Sequence, residues 1–146
     1  MAIKFEFRDM TKAEFKRERA AFDEHGLEFG NPPEKQKRFG FVATDNGKFI
    51  GCSSGLAQKS NNKYSKYFYL SDLLVEKDYR KLGYGKKLLE LLENKIKQLG
   101  IEYIWTWTAE YEANAFYQKH GYQVFTTFDK FYQSGDARIG LLKKLV

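Results

Sequence analysis

The stretch Tyr67–Gly85, YFYLSDLLVEKDYRKLGYG, decides how the chain is organised. Its first half is an apolar run of β-forming residues that ends at Val75, and a short charged connection then leads to Arg80-Lys81-Leu82-Gly83-Tyr84-Gly85. A helical pattern follows directly. The free amides and the dipole of a helix N-terminus favour negative charge, so the stretch predicts an anion-binding turn. The alternative is an ordinary tight turn between a strand and a helix.

Two motifs in this half of the chain resemble those of a known family. The first motif, V-x4-R-x2-G-x-G, consists of Val75, Arg80, Gly83 and Gly85. It resembles the acetyl-CoA signature of the GNAT superfamily of N-acetyltransferases. Residues 113–122, ANAFYQKHGY, resemble the family's second marker, in which an alanine precedes an aromatic–tyrosine pair, a lysine and a glycine–aromatic step. The motifs stand in the family's order, so the resemblance implies an acetyl-CoA-dependent N-acetyltransferase.

Composition and charge set bounds on the class of protein. The 146 residues, 42% hydrophobic and 30% charged, predict one globular domain over residues 1–146. The single cysteine, Cys52, is interpreted as a small core residue, and the chain lacks a signal peptide pattern or a membrane-length apolar run. We therefore expect a cytoplasmic protein with no membrane partner. The net charge of +6 favours a polyanionic partner, either a nucleic acid, an acidic membrane or a phosphate-bearing cofactor.

Periodicity predicts the elements of the first half of the chain. Alternation at Ile3, Phe5 and Phe7 is typical of a half-buried strand, and a capping box at Thr11–Glu14 predicts a helix to about His25. Asp45-Asn46-Gly47 joins two strand-like runs as a hairpin. The predicted strands are residues 41–44, 48–58 and 67–75.

The second half predicts a crossover and a terminal hairpin. A helix over residues 83–99 is followed by a strand over 101–108, which should lie parallel to the strand at 67–75. A short helix ends at Gly121, and strands over 124–132 and 137–146 follow. The pattern predicts an α+β fold, and the resemblance implies a mixed, mostly antiparallel, splayed sheet of about six to seven strands flanked by about four helices.

The resemblance also implies roles for individual residues. Tyr117 falls where the family places a tyrosine close to the cofactor sulfur, and a phenol can protonate a leaving thiolate. The backbone of Leu73 and Val75 would hold the pantetheine arm where the sheet splays, and amides from Lys81 to Lys86 would cradle the pyrophosphate. The implied cofactor-binding residues are Leu73, Val75, Arg80, Lys81, Leu82, Gly83, Tyr84, Gly85, Lys86 and Asn114.

The sequence departs from the family at two positions. Glu110 stands where many members carry an asparagine, and Ser71 stands where some carry a glutamate that acts as general base. Asp72 is adjacent to Ser71, but regular strand alternation would point it to the opposite face. No base is named, and both a water chain to a distant carboxylate and an amine that binds already neutral are open. Neither of the two histidines is placed for metal binding, so no metal cofactor is expected.

We expect direct attack of a primary amine on acetyl-CoA in a ternary complex. The acceptor is unidentified, with a small amine favoured over a protein. A non-catalytic CoA-binding module is the main alternative because no base is evident. A basic nucleic-acid-binding domain ranks last, since no nucleic-acid motif is present. Homodimers are frequent in the family, but no residue establishes one here.

Overall fold

The first hairpin forms as its turn residues predict. The computed structural model describes residues 2–146, and in it β1 (Lys35–Asp45) and β2 (Lys48–Ser60) pair antiparallel. Asn46 and Gly47 between them have φ values of 48° and 83°, which match the twist of the flanking strands. The next strand, β3 (Lys63–Val75), pairs with β2, so all three strands of the predicted meander are confirmed.

The predicted crossover is also present. A single 3₁₀ turn, Lys77–Tyr79, leads to α2 (Tyr84–Gln98), and the chain then returns as β4 (Tyr103–Ala109) parallel to β3. Helix α2 buries one apolar face against β1, β2 and β3. The buried side chains of this face are those of Leu88, Leu89, Leu92 and Ile96.

The chain ends with a short helix and two strands. Helix α3 (Asn114–Lys119) is followed by β5 (Gln123–Phe128) and β6 (Arg138–Lys144). The sheet order is β1-β2-β3-β4-β6-β5; the β3–β4 pair is parallel and the other four pairs among the described residues are antiparallel. The mixed α+β fold is confirmed with six strands. Residues 2–146 contain three α-helices where about four were expected, because residues 31–34 lead into β1 without a further helix.

The segment before β1 and the rest of the chain form two separate compact units. Residues divide into the units Met1–Glu34 and Lys35–Val146, so a single domain stays a prediction. The first unit holds α1 (Lys12–Glu28), whose predicted capping box is confirmed: Thr11 Oγ1 accepts from Glu14 N at 3.2 Å, and Glu14 Oε1 accepts from Thr11 N at 2.8 Å. The Arg8 guanidinium lowers the pKa of Glu14 to about 2.

Two predictions for the first unit are wrong. Residues 3–7 form no strand, and the side chains of Ile3, Phe5 and Phe7 are exposed, because alternation yields a strand only where another strand pairs with it. The helix also ends at Glu28 and not at about His25, and its last turn is closed by hydrogen bonds from the amides of Phe29 and Asn31 to Gly26 O. No helix within residues 2–146 combines the length and the apolar character that a membrane span requires.

Candidate active site

Strands β3 and β4 part in the middle of the sheet. Their parallel ladder covers three pairs, ending at Tyr69 and Trp105, although β3 continues to Val75 and β4 to Ala109. Where the ladder ends, Thr106 Oγ1 donates a hydrogen bond to Leu70 O at 2.8 Å. A gap therefore opens between the carboxyl ends of the two strands, and the predicted splay of the sheet is confirmed.

Backbone groups of β3 face this gap. Glu76 N donates to Ile50 O at 2.7 Å, so the residue after β3 still bonds toward the β2 side. An antiparallel ladder alternates its bonded pairs, so the N–H and C=O groups of Leu73 and Val75 point away from β2. Val75 O accepts from Arg80 Nε at 3.0 Å. The remaining groups of these two residues have no hydrogen-bond partner among residues 2–146, and their pairing with a pantetheine arm stays a prediction.

A groove of about 650 Å³ runs from the gap to the glycine turn. Its lining is largely apolar, and its two cations, Arg80 and Lys81, lie at the turn. Five of the predicted cofactor residues are brought together here. The groove is lined by Leu73, Leu74, Val75, Arg80, Lys81, Gly85, Tyr111, Glu112, Ala113 and Phe116.

The glycine turn presents unpaired amides. Gly83 is the N-cap of α2 with φ at 87°, a backbone conformation that L side chains rarely adopt, and it has no side chain to cap the helix. Lys87 N donates to Gly83 O at 3.1 Å, so the amides of residues 84–86 precede the first intrahelical bond. These amides are available for an anion, which supports the predicted cradle.

The other predicted cofactor residues lie around this turn or outside the groove. Leu82 is exposed, Tyr84 is partly exposed, and Lys86 Nζ lies 3.9 Å from Glu90 Oε1 on the first turns of α2. Asn114 does not line the groove, and its Oδ1 accepts from Gln118 Nε2 at 2.9 Å. Its contact with a cofactor stays a prediction.

Tyr117 lies at the inner wall of a second cavity within the gap. This cavity of about 280 Å³ is bordered by Ser71–Leu74 on β3, by Thr106–Thr108 on β4 and by Glu112, Ala113 and Tyr117. Burial raises the pKa of Tyr117 to about 12, and the charge of Glu112 also raises it, against a lowering by the Thr106 hydroxyl. The phenol is therefore protonated at neutral pH and can donate a hydrogen bond into the gap.

A β-bulge changes the direction of Asp72. Ser54 pairs with Asp72 and Gly55 with Leu70, so Ser71 has no partner of its own on β2. Ser71 Oγ donates to Asp72 Oδ2 at 2.6 Å, and both residues line the cavity of Tyr117. The expectation that Asp72 points to the opposite face from Ser71 is wrong, because the extra residue breaks the strict alternation of the strand.

Some residues near the gap were not foreseen, and one has a structural role. Glu112 and Phe116 line the cavities and lie beside or within the second motif, whereas Arg38, which contacts Asp72, had no sequence signal.

Glu110 N donates to Ala137 O at 2.9 Å and Glu110 Oε1 accepts from Ala137 N at 3.4 Å. Glu110 thus ties the turn after β4 to the start of β6. Within residues 2–146, no three His, Cys, Asp or Glu residues group as a metal site.

Comparison with known proteins adds a family and a fold. The family model described as "Acetyltransferase (GNAT) family" matches residues 4–122, which include both motifs. None of the curated proteins matches the chain. A crystal structure of an acetyltransferase from Bacillus cereus ATCC 14579 is 20% identical, with a TM-score of 0.77 over 96% of this chain and 97% of that chain.

Two further solved structures share the fold. An aminoglycoside 6'-N-acetyltransferase complexed with coenzyme A is 19% identical, with a TM-score of 0.63 over 84% of this chain and 79% of that chain. The aminoglycoside 6'-N-acetyltransferase from Enterococcus faecium is also 19% identical, with a TM-score of 0.62 over 84% and 81% of the two chains. At these identities the likeness is one of fold.

Proposed function

The chain belongs to the acetyltransferase (GNAT) family, whose acyl donor is acetyl-CoA, and we propose that it transfers an acetyl group to a primary amine. The amine attacks the thioester directly while both substrates are bound. The observation that carries this proposal is the continuity of the β3–β4 gap with the groove that ends at the glycine turn. The gap supplies a place for the reacting groups and the groove a place for the rest of the donor.

The groove fits acetyl-CoA chemically. Leu73, Val75 and Phe116 offer apolar contact for a pantetheine arm, while Arg80 and Lys81 stand where phosphates would lie. A Cβ added at Gly85 would lie 3.7 Å from Val75 Cγ2 and from Phe116 Cζ, both of which line the groove. The missing side chain leaves ligand space that the packing of the protein itself does not require.

Tyr117 is the residue best placed to assist the leaving group. When bound, acetyl-CoA supplies an acetyl group activated as a thioester. A thiol ordinarily has a pKa of about 8.5, below the value of about 12 for Tyr117, so the phenol acts first as a hydrogen-bond donor to the thiolate. The phenol can then transfer its proton to the thiolate, because burial raises the proton affinity of a thiolate. Tyr117 then recovers a proton from the amine or from solvent.

Two measurements on the purified chain test the proposal. Calorimetric titration with acetyl-CoA should show binding in the micromolar range, which inorganic phosphate alone should not reproduce. Thiol release in the presence of amines should then show turnover. Binding without thiol release from any acceptor would favour the non-catalytic CoA-binding module, and failure to bind acetyl-CoA would contradict both.

A further inference from the structure

An ion pair at the rim of the gap joins β1 to the bulge in β3. The Arg38 side chain crosses β2, and its NH1 group lies 3.1 Å from Asp72 Oδ2 and 3.0 Å from Ser71 Oγ. The same nitrogen lies 3.4 Å from Ser54 Oγ. The side chains of Arg38 and Asp72 are each just over half exposed, at 53% and 55%. An acid and a base therefore stand side by side at the mouth of the candidate site.

Arg38 and Asp72 each have polar atoms that are not engaged by other described residues and can bind a ligand. Among the described residues, every side-chain hydrogen bond of Arg38 uses NH1 and every one of Asp72 uses Oδ2. Within residues 2–146, Asp72 Oδ1 accepts no hydrogen bond, and Arg38 Nε and NH2 donate none. The pair thus offers one free anionic acceptor next to two free cationic donors.

The anionic member of the pair, Asp72, lies nearer to the Tyr117 cavity than the cationic member, Arg38. Among the described residues, the lining of the Tyr117 cavity includes two carboxylates, Asp72 and Glu112, and no cationic side chain. Arg38 does not line that cavity and lies beyond Asp72 on the side of β1. A ligand with one positive and one negative group would therefore enter with its amino group inward and its negative group at Arg38.

We propose that the acceptor is an α-amino acid, an inference that rests on the proposed acetyl transfer and specifies its substrate class. The amino group binds Asp72 Oδ1 beside the gap, and the carboxylate accepts hydrogen bonds from Arg38 Nε and NH2. In an α-amino acid the nitrogen and the carboxylate carbon are about 2.5 Å apart. That spacing suits two protein groups already in contact at 3.1 Å.

Other amines complement the pair less well. A polyamine or an aminoglycoside brings further cations but no anion, so Arg38 Nε and NH2 stay without an anionic partner. A simple alkylamine or an amino acid amide leaves the free guanidinium nitrogens without an anionic partner. An acceptor that carries a carboxylate next to its amine uses both halves of the pair, which gives it an advantage of about tenfold or more.

The test compares matched acceptors in thiol release from acetyl-CoA. The panel holds the twenty common amino acids, their amides, spermidine, kanamycin and phenethylamine, and mass spectrometry identifies the acetylated nitrogen. The variants are Arg38→Met, Asp72→Asn and, as a charge-matched control on the same strand, Lys37→Met. Each variant is compared with the wild type on the same acceptor, so differences in amine reactivity cancel. Acetyl-CoA affinity is measured for every variant by calorimetry.

We expect at least one amino acid to exceed its amide in kcat/KM by about tenfold or more. Arg38→Met should reduce that preference to near one, Asp72→Asn should raise KM for amino acid and amide alike, and Lys37→Met should change neither. Acetyl-CoA affinity should stay the same in all three. Arg38→Lys should restore part of the preference, which a purely structural role would not predict.

Three results would overturn the inference. The first is equal or better use of amides, spermidine, kanamycin or phenethylamine by the wild type. The second is a preference for amino acids that survives in Arg38→Met. The third is acetylation of another amine in the panel but of no amino acid, which leaves the proposed acetyl transfer standing, whereas a wild type that does not bind acetyl-CoA would contradict both.

Discussion

Tyr122 Oη donates a hydrogen bond of 2.7 Å to Glu93 Oε2 in the buried layer beneath the sheet. Lys143 Nζ contacts the other oxygen of Glu93 at 2.9 Å, so the network joins α2, the segment after α3 and β6. Tyr122 N also donates to Tyr117 O at 3.0 Å. The network therefore helps to hold the short helix that carries the candidate catalytic phenol.

Replacement of Tyr122 by phenylalanine should destabilise the fold. The change removes a donor from a buried carboxylate, and a hydrogen bond to a charged group contributes about 1.5–3 kcal/mol. Urea unfolding measures the loss. Tyr111→Phe is the control, since Tyr111 is exposed and its hydroxyl makes no recorded hydrogen bond within the described residues; it should change stability by less than about 0.5 kcal/mol. Equal effects of the two changes would show that the Glu93 contact contributes nothing.

Tyr117→Phe should lower kcat about 100-fold while it leaves acetyl-CoA affinity nearly unchanged, because the change removes the phenol proposed to assist the leaving group and keeps the groove intact. Steady-state thiol release and calorimetry separate the two effects. Tyr64→Phe, at the start of β3, is the matched control and should keep full activity. Wild-type turnover in Tyr117→Phe would remove Tyr117 from the chemistry.

Stability should fall at high pH because of the buried phenols. Burial raises the pKa of Tyr117 from 10 to about 12, and burial together with Glu93 raises the pKa of Tyr122. Below pH 10 folded and unfolded chains both keep these protons. Between pH 10 and 12 the unfolded chain loses these protons before the folded chain does. Each tyrosine therefore lowers the free energy of unfolding by up to about 1.4 kcal/mol per pH unit.

Unfolding free energies at pH 9, 10 and 11 check this pH dependence. Above pH 10 the free energy of unfolding should fall less steeply with pH for Tyr117→Phe than for the wild type. Below pH 10 the two curves should be parallel. Parallel curves throughout would mean that Tyr117 titrates like an exposed tyrosine.

Gly85→Val should weaken acetyl-CoA binding tenfold or more, and Gly85→Ala should weaken it less, with the fold retained in both. The added Cβ meets protein atoms only at 3.7 Å, an ordinary contact distance, but it occupies the groove. Calorimetry gives the affinity and thermal unfolding gives the stability. Gly83 is a poorer site for this test, because its φ of 87° adds backbone strain to any substitution. Wild-type affinity in Gly85→Val would place the donor elsewhere.

Gly55→Ala should destabilise the sheet by about 2 kcal/mol or more. A Cβ at Gly55 would clash with Tyr69 O, so the β3 backbone beside the bulge must move. Gly85→Ala is the matched control, since the same added methyl has room there. If Gly55→Ala kept wild-type stability, the two strands would not approach as closely as the structure shows.

The sequence determined those parts of the protein that depend on neighbours along the chain. The Asn46-Gly47 hairpin, the apolar face of α2, the crossover to β4 and the two motifs were all readable from local spacing. The motifs indicated the family and most of the groove, because the groove-lining residues of β3 and the glycine turn lie close together in sequence.

Only the tertiary structure decided the register between strands and the side-chain contacts that join one strand to another. The direction of Asp72 depends on the bulge opposite Gly55, and the bulge depends on the register with β2. The contact of Arg38 with Asp72 joins residues 34 positions apart. The alternation at Ile3, Phe5 and Phe7 predicted a strand that does not form, because a strand needs a partner and local pattern does not supply one. Long-range pairing thus fixed the mouth of the candidate site, where Arg38 and Asp72 lie.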